Sequence, residues 1–469
     1  MKLEENSSAF DLLAFLCSVF TKEKERECAE MRSTVVEETV QKMVEQYKNL
    51  IALVLNASAN EYRFNSEEIQ CINDYLQKID ENCKKNTAEF GQLYFLTIEI
   101  EHCIERFANW QGRGVVFPIA PLNSNYNETN IYIYPHYPPA WNVDKSERKR
   151  CRTFNAKFEN HVMIRKDDVS PFEISMNYWN DEGLLQRTDN GWKLKVALSP
   201  VMDYAQIDAE KVEDEYGKSK RVNGIKNKEE VEERVLRIFD AVFEKQYGII
   251  VFPEMLGSED VLEAIKEKMR MHPEIYSFVL LPTICGSERN VLVILGPGGV
   301  ELMHKDKGTA FIEEDEYGES YRERLQYNNQ IELLITKELG NIAFPICAEL
   351  LEPMYYSKMM EEGHADFIIT PSFSPGYQAF IKTLKKGEAA MTLGLWVNCC
   401  SAKNVSRNGK VPEVLAAVQI PTNTNDDECV QQIKPQCDFA CSDEICYFDI
   451  TIVYQNKRFY VQFEHCICA

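Results

Sequence analysis

The feature that most restricts the fold is a regular alternation of apolar runs and amphipathic helices that begins near residue 191. Residues 248–253 read GIIVFP and residues 341–346 read NIAFPI, while residues 229–244 and 259–271 have helical periodicity. Continuous apolar runs are typical of strands buried on both faces, and their alternation with helices indicates a layered α/β domain. The GPGG sequence at 296–299 predicts a hairpin between two further strands. We therefore predict an α/β fold with a buried sheet.

The chain divides into three parts by pattern. Residues 1–110 have helical spacing of apolar positions and predict a helical accessory region, and residues 111–190 are rich in Pro, Asn and Tyr and predict short strands and loops. The α/β domain is expected over residues 191–469. Residues 1–190 carry no motif with a chemical interpretation, so we expect a lid, a tether or a docking site for a protein partner. A basic run in this part is interpreted as solvated surface, with a partner contact as the alternative: Lys145, Arg148, Lys149, Arg150 and Arg152.

Charge and cysteine content restrict the function and the compartment. The 74 acidic residues outnumber the 52 basic ones and give a net charge of −22, which opposes binding to nucleic acids or anionic membranes. The acidic start MKLEENSS is not typical of a secretory signal, and the apolar stretch 9–20 is shorter than a membrane span. We therefore expect a cytoplasmic protein with unpaired thiols. With 16 cysteines and only 7 histidines, the composition is compatible with a cysteine nucleophile and disfavours sites with many His ligands.

Six cysteines near the carboxyl terminus lack the C-x-x-C pairs that zinc sites favour, and only Cys466 and Cys468 are close, so free thiols are the first interpretation and a zinc site the alternative. The six are Cys429, Cys437, Cys441, Cys446, Cys466 and Cys468. His364 and His465 are interpreted as ordinary structural residues. We therefore expect no metal and no cofactor.

Polar residues that follow apolar strands are the candidate site. Glu254 ends one apolar run, Lys305 and Lys307 end the second strand of the hairpin, and Cys347 follows another run where a turn leads into a helix. Strand ends are where α/β proteins commonly place their sites. A thiol at a helix N-terminus gains from N–H groups that favour the thiolate.

These residues lie in three motifs, VFPE, GPGGVELMHKDKG and GNIAFPICAEL, which occur in this order. Together they resemble the nitrilase superfamily, carbon–nitrogen hydrolases with a Glu–Lys–Cys triad, over residues 192–455. The resemblance implies an α-β-β-α sandwich, a homo-oligomer of two or more chains, and no cofactor. It also implies roles for Cys347 as nucleophile, for Glu254 as general acid and base, and for Lys305 in holding positive charge beside the oxyanion, helped by the backbone N–H of Ala348.

The choice of lysine follows from the family pattern, because Lys305 and Lys307 are two residues apart and face the same side of a strand. Aligning Met303 and His304 with the two residues that usually precede the lysine assigns the role to Lys305 and places Lys307 where a His is usual. Many members carry a second glutamate that orients the lysine. Glu323 is the best positional match, with Glu319 as the alternative.

The predicted reaction is hydrolysis of a non-peptide C–N bond through a thioester, with an amide as the first choice of substrate and a nitrile as the second. Two alternatives stay open: acyl transfer by the same triad, and a scaffold or sensing module, for example in a multi-component or defence system, with little turnover. The superfamily commonly has an aromatic residue after the nucleophile, where this chain has Ala348. The substrate therefore cannot be taken from the better-known branches.

Overall fold

The computed structural model describes most of the chain. The described ranges are 2–31, 37–59, 61–83, 87–104, 117–141, 153–166, 170–180, 183–214, 217–314, 317–387, 391–406, 409–421, 429–435 and 445–468. The basic run at 145–152 and the cysteines at 437 and 441 lie outside them.

The helices in the described ranges fall into an amino-terminal group and a group between the strands. They are α1 (Ala9–Ser18), α2 (Lys22–Met31), α3 (Glu37–Ala59), α4 (Ser66–Cys83), α5 (Thr87–Cys103), α6 (Tyr126–Thr129), α7 (Lys228–Phe243), α8 (Glu259–Met271), α9 (Ala348–Leu351), α10 (Pro353–Ser357) and α11 (Gln378–Gly387).

The strands begin after α5 and continue to the carboxyl terminus. They are β1 (Phe117–Pro118), β2 (Ile131–Pro135), β3 (His161–Arg165), β4 (Glu173–Tyr178), β5 (Gln186–Thr188), β6 (Gly191–Leu198), β7 (Ile207–Asp214), β8 (Gly217–Ile225), β9 (Ile249–Val251), β10 (Phe278–Leu280), β11 (Ile284–Gly286), β12 (Arg289–Gly296), β13 (Val300–Asp306), β14 (Ile312–Glu314), β15 (Ser320–Glu323), β16 (Gln330–Ile335), β17 (Asn341–Ala343), β18 (Phe367–Ser372), β19 (Leu393–Asn398), β20 (Ala416–Gln419), β21 (Val430–Ile433), β22 (Ile445–Gln455) and β23 (Arg458–Cys468).

Two large sheets form the centre of the molecule. The first sheet has the order β1-β4-β16-β17-β18-β19-β20-β21, and the second has the order β11-β12-β10-β9-β6-β22-β23, with β13 paired to β12 and β5 to β6. The middle of each sheet is parallel: β17, β18 and β19 in the first, and β6, β9 and β10 in the second. Parallel neighbours bring their carboxyl ends to one edge, so the loops after β9, β17 and β18 can meet there.

The two sheets share one hydrophobic core. On β9, Ile249 and Val251 belong to this core while Ile250 belongs to a separate cluster with α7 and α8, because successive side chains point to opposite faces of a strand. Helices α9–α11 contribute apolar side chains to the core from the first sheet, among them Tyr355 and Phe380. The described residues therefore form an α/β fold, which confirms the predicted class.

The amino-terminal helices build a second core together with β2 and β3. Asp11 links α1 to the segment before α6, since its carboxylate accepts hydrogen bonds from the N–H groups of Ser124 at 2.6 Å and Asn125 at 3.0 Å. Strands from the 111–190 part also join the large sheets: β4 pairs in parallel with β16, and β5 pairs with β6. This part of the chain is therefore built into the same sheets that carry the candidate site.

Individual elements agree with their predictions where the periodicity is long. The helix predicted at 259–271 is α8, and the predicted hairpin is β12 and β13, joined through residues 297–299. The four-stranded sheet β14-β15-β8-β7, which is rich in charged residues, was not expected from the sequence. Cys347 and the other cysteines whose side chains the structure describes are thiols. Among the described residues no helix combines the length and apolarity of a membrane span.

The shared core predicts a large cost for truncating Ile294, which is fully buried between the two sheets. Ile294→Ala is expected to lower the free energy of unfolding by about 2–5 kcal/mol, because it removes buried methyl groups and leaves a cavity. Ile312→Ala, at a site that is 60% exposed, is the matched control and is expected to change the free energy of unfolding by no more than about 0.5 kcal/mol. Urea unfolding followed by circular dichroism measures both. Equal costs for the two variants would contradict the assigned core.

Candidate active site

Glu254 is a fully buried carboxylate three residues beyond the end of β9. Its Oε1 accepts hydrogen bonds from Asn290 Nδ2 at 2.8 Å and from Lys307 Nζ at 2.7 Å. Its Oε2 accepts one from the backbone N–H of Phe373 at 2.9 Å. Three donors, from β12, from the segment after β13 and from the segment after β18, thus fix both oxygens. They compensate a buried charge that would otherwise be costly.

Cys347 lies beside this carboxylate, at the turn between β17 and α9. It is 1% exposed and has a φ of 47°, a left-handed conformation that is uncommon for a side chain other than glycine. Its N–H donates to the carbonyl of Pro371 at 2.9 Å, which anchors the turn to the end of β18. Glu254, Lys307 and the backbone N–H of Phe373 are the groups that influence the pKa of this buried thiol. A strained turn held in this way presents the sulfur to the carboxylate.

Lys307 is the cation of the cluster. It follows β13, is 1% exposed, and donates to Glu254 at 2.7 Å and to Glu323 Oε2 at 2.6 Å. Its own N–H donates to the carbonyl of Asn290 at 2.9 Å, so the backbone pairing of the hairpin continues to this residue. One ammonium is therefore held between two carboxylates.

Lys305 is also fully buried, but it belongs to a different pair. Its Nζ donates to Glu349 Oε2 at 2.5 Å, and the ring of Tyr355 lies 5.7 Å from the same ammonium. Glu349 also accepts from the N–H groups of Gly308 at 2.7 Å and Ile346 at 2.8 Å. This second ion pair ties the loop after β13 to the turn that carries Cys347.

The two candidate lysines have different partners. The structure brings Glu254 and Cys347 near each other, and the lysine between Glu254 and Glu323 is Lys307. Period-two alternation puts both lysines on the same face of the strand, so spacing alone could not choose between them. Lys305, the lysine assigned from the family pattern, pairs with Glu349 instead, and its catalytic role stays a prediction.

The secondary candidates are placed as follows. Glu323 is 7% exposed, accepts from Lys307 and from the N–H of Phe311 at 3.0 Å, and so lies where the predicted orienting glutamate would lie. Its alternative, Glu319, instead pairs with Lys218 at the surface. Ala348 is the first residue of α9, so its N–H is one of the helix N-terminal donors that lack an intrahelical acceptor.

Burial and charge shift the titration of all three central groups. Burial raises the pKa of Glu254, with Lys307 opposing the shift and Glu323 adding to it. Burial also raises the pKa of the Cys347 thiol, and the neighbouring Glu254 charge acts in the same direction. Burial opposes the charge on Lys307, but Glu254 and Glu323 outweigh it and raise the pKa of this lysine well above its usual range. The raised pKa favours the protonated thiol, whose charged neighbours are the Glu254 carboxylate and the Lys307 ammonium.

A small apolar cavity of about 30 Å³ opens next to these groups. Its wall includes Met255, Phe311, Glu323 and Phe373, together with Val222 from the four-stranded sheet. The four-stranded sheet thus both supplies Glu323 and closes this side of the site. A space of this size holds about one or two water molecules.

Three further residues of the site were not predicted from the sequence. Asn290 and Glu349 contact the lysine and glutamate directly, and Phe373 acts through its backbone. Glu349 could have been expected from the sequence, because two neighbouring lysines require two carboxylate partners when both are buried. Asn290 faces Glu254 because of the register of the β12–β13 hairpin, which the sequence does not show. Phe373 donates through its backbone N–H, which every residue except proline has, so its residue type gave no indication of this contact.

Comparisons with known proteins give matches among solved structures alone: no family model matches the chain, and no curated protein matches it. One similar structure is a mutant of the amidase from Nesterenkonia sp. AN1 with acrylamide added at its active-site cysteine; it is 12% identical, covers 49% of this chain and 87% of its own, and has a TM-score of 0.33. Another mutant of that enzyme, described as an amidase from the nitrilase superfamily, is 12% identical and has a TM-score of 0.36; the match covers 54% of this chain and 89% of the amidase. The C. elegans NitFhit protein is 13% identical and has a TM-score of 0.35; the match covers 52% of this chain and 61% of NitFhit. Solved structures similar to this chain thus include a member of the superfamily that its three motifs resemble.

Proposed function

We propose that the protein is a cysteine-dependent amidohydrolase with Glu254, Lys307 and Cys347 as its catalytic triad. The observation that carries the proposal is the buried cluster of one thiol, one carboxylate and one ammonium, which follow β17, β9 and β13. Each group is held by further hydrogen bonds, from Asn290, Phe373 and Glu323. Helices α7 and α8 on one sheet, and α9–α11 on the other, support the α-β-β-α arrangement that the motifs imply.

The first half of the reaction follows from the contacts. Glu254 takes the proton of Cys347 as the sulfur attacks the carbonyl carbon of an amide, and the C–S bond forms while the carbonyl oxygen becomes negative. The ammonium of Lys307 and the N–H of Ala348 are the donors assigned to this oxygen. Glu254 then passes its proton to the nitrogen, the C–N bond breaks, and an amine leaves a thioester on Cys347.

The second half uses the same groups. Glu254 removes a proton from water, the resulting hydroxide attacks the thioester carbon, and the acid product leaves as the proton returns to the sulfur. A carboxylate can act as base and then as acid only if its pKa lies nearer the working pH than that of an exposed glutamate. Burial of Glu254 acts in this direction.

The cavity beside Glu323 and Phe373 favours a small substrate. Its volume of about 30 Å³ has room for one or two water molecules, so even a short aliphatic amide requires the four-stranded sheet that closes this side to move, and a larger substrate requires a larger movement. Both an amide and a nitrile need a proton on nitrogen from Glu254, so this group does not distinguish them, and an amide stays the first choice of substrate with a nitrile as the second.

Two alternatives differ in what they require of the site. Acyl transfer uses the same thioester and differs only in the acceptor, so added amines or hydroxylamine would compete with water. A scaffold with no turnover would have no use for five ionisable groups, Glu254, Lys305, Lys307, Glu323 and Glu349, all 7% exposed or less. Burying ions costs several kcal/mol each before pairing, so the cluster is not a device for stability.

Amide hydrolysis tests the proposal directly. Purified protein is expected to release ammonia from at least one member of a panel of short aliphatic amides. Cys347→Ala is expected to abolish this activity, and Glu254→Gln to lower it by about 10²–10⁴-fold, because the proton acceptor is lost. Cys400→Ala, which also removes a buried thiol, is the control and keeps wild-type activity. Activity that survives Cys347→Ala would refute the triad.

Substitutions of the two lysines are expected to differ in their main effect, which is lost activity at Lys307 and lost stability at Lys305. Lys307→Met is expected to lower kcat/KM by at least about 100-fold, since the oxyanion loses a cation. Lys305→Met leaves the Glu349 carboxylate buried without its ion partner, so it is expected to cost about 3–5 kcal/mol of unfolding free energy.

Paired variants separate these effects from damage to the fold. Lys305→Met with Glu349→Gln is expected to recover most of the stability and activity, because the neutral Gln carbonyl still accepts backbone N–H groups. Lys307→Met with Glu323→Gln is not expected to recover activity. The reverse pattern, with rescue at Lys307 and none at Lys305, would return the catalytic role to Lys305.

The pH dependence follows from the raised pKa of Glu254. Below that pKa the carboxyl is protonated and cannot accept the thiol proton, so kcat/KM rises with pH, with a midpoint above the ordinary value of 4.5. The residual activity of Glu254→Gln is expected to lack this acid limb, and Glu244→Gln, at an exposed position, is expected to keep it. A midpoint at or below 4.5 would contradict the assignment.

A further inference from the structure

A second buried cluster lies where the amino-terminal part of the chain meets the first sheet. His136 follows β2, and His364 and Asp366 immediately precede β18. His136 Nε2 lies 2.9 Å from Asp366 Oδ2, and His364 Nε2 lies 3.8 Å from Asp366 Oδ1. The two imidazoles contact each other edge to face, with ring centroids 4.9 Å apart. One carboxylate is thus shared between two histidines.

These separations are those of ligands around one small cation. All three ligand atoms lie within 4.8 Å of one another. For bond lengths of about 2.0–2.1 Å, the ligand atoms of a tetrahedral zinc site are about 3.4 Å apart. Each imidazole is within about 0.5 Å of that spacing from one oxygen of Asp366, His136 from Oδ2 at 2.9 Å and His364 from Oδ1 at 3.8 Å. The side chains are 1%, 9% and 3% exposed for His136, His364 and Asp366. Imidazole nitrogen with carboxylate oxygen is a donor set that zinc and related divalent metals accept.

The backbone is shaped to bring these side chains together. His364 has a φ of 49°, a left-handed conformation that costs free energy unless the surroundings enforce it. Gly340 has a φ of 73°, and a Cβ at this position would lie 2.4 Å from Asp366 Oδ2, so only glycine allows this approach to the carboxylate. Both features place polar groups around the same carboxylate, where an apolar core would have needed neither.

Asn341 adds an independent observation at the same junction. Its backbone N–H donates to Asp366 Oδ2 at 3.0 Å, and its Nδ2 donates to the carbonyl of Gly363 at 3.0 Å. The side chain is fully buried, and its Oδ1 accepts no hydrogen bond from the described residues. A buried oxygen without a donor is costly, so the residue whose N–H contacts Asp366 also carries an unsatisfied acceptor.

We propose that His136, His364 and Asp366 bind one divalent transition-metal ion of the zinc class, which fastens residues 1–190 to the first sheet. The ligands come from positions up to 230 residues apart in the chain, so no ligand spacing could show them in the sequence. The proposed site is at the start of β18, whereas Pro371 and Phe373 beside the triad are at its end. Six strand residues span about 20 Å, so the metal is structural and takes no part in the hydrolysis.

Cobalt titration of the full chain tests the site. Tag-free protein is treated with chelator, kept reduced with a phosphine, and titrated with Co²⁺. We expect one equivalent to bind, with the visible absorption bands of tetrahedral cobalt and without the near-ultraviolet band of thiolate ligation. Zinc is expected to raise the Tm of the wild type, because binding to the folded state alone stabilises it.

Variants locate the metal. His364→Gln and Asp366→Asn are expected to lose the cobalt bands and the zinc-dependent rise in Tm, while His272→Gln, which removes an exposed imidazole, keeps both. Circular dichroism checks that each variant is folded, and His136→Gln replaces any that is not. The proposal is overturned if the wild type binds no cobalt, if the His364→Gln protein binds it equally, or if thiolate bands show that cysteines hold it. None of these results depends on the activity of Cys347.

Discussion

The buried ammonium of Lys307 is the contact on which the rest of the site depends. It joins Glu254 and Glu323, two carboxylates that would repel each other without it. With the neighbouring pair of Lys305 and Glu349, three buried carboxylates face two buried ammoniums. The cluster therefore has one negative charge in excess when every group is charged. Burial is the main cause of the raised pKa of Glu254, and the Glu323 carboxylate adds to it. In the proposed mechanism this carboxylate is the group that exchanges a proton with Cys347.

The fold supplies this arrangement through strand ends and not through one contiguous motif. Glu254 follows β9 in the second sheet and Cys347 follows β17 in the first, so the two sheets must pack with the correct offset for the groups to meet. The backbone of Phe373, after β18, donates to Glu254 and thereby links the sheets at this point. Glu323 comes from the four-stranded sheet, so the sheet that lines the cavity also supplies a carboxylate that pairs with Lys307.

Much of this could be predicted from the sequence, because the strands are continuous apolar runs and polar residues follow them directly. Glu254, Cys347 and the β12–β13 hairpin are examples. The lysine could not be decided in this way: Lys305 and Lys307 share a strand face, and only the positions of Glu349 and Glu323 in three dimensions separate them. The four-stranded sheet has the charged composition of a surface hairpin, and the partners of His136 are on a distant part of the chain. Such features depend on tertiary contacts that no local pattern records.

The central claim is that Cys347 carries an acyl group during turnover. Mass spectrometry of protein quenched in acid during reaction with short aliphatic amides tests it most directly. The account predicts a mass increase equal to the acyl group, located on the peptide that contains Cys347, removed by hydroxylamine, and absent from Glu254→Gln and Lys307→Met under the same conditions. An acyl group on another cysteine, or hydrolysis by the wild type with no adduct at Cys347 under conditions where deacylation is slow, would contradict it.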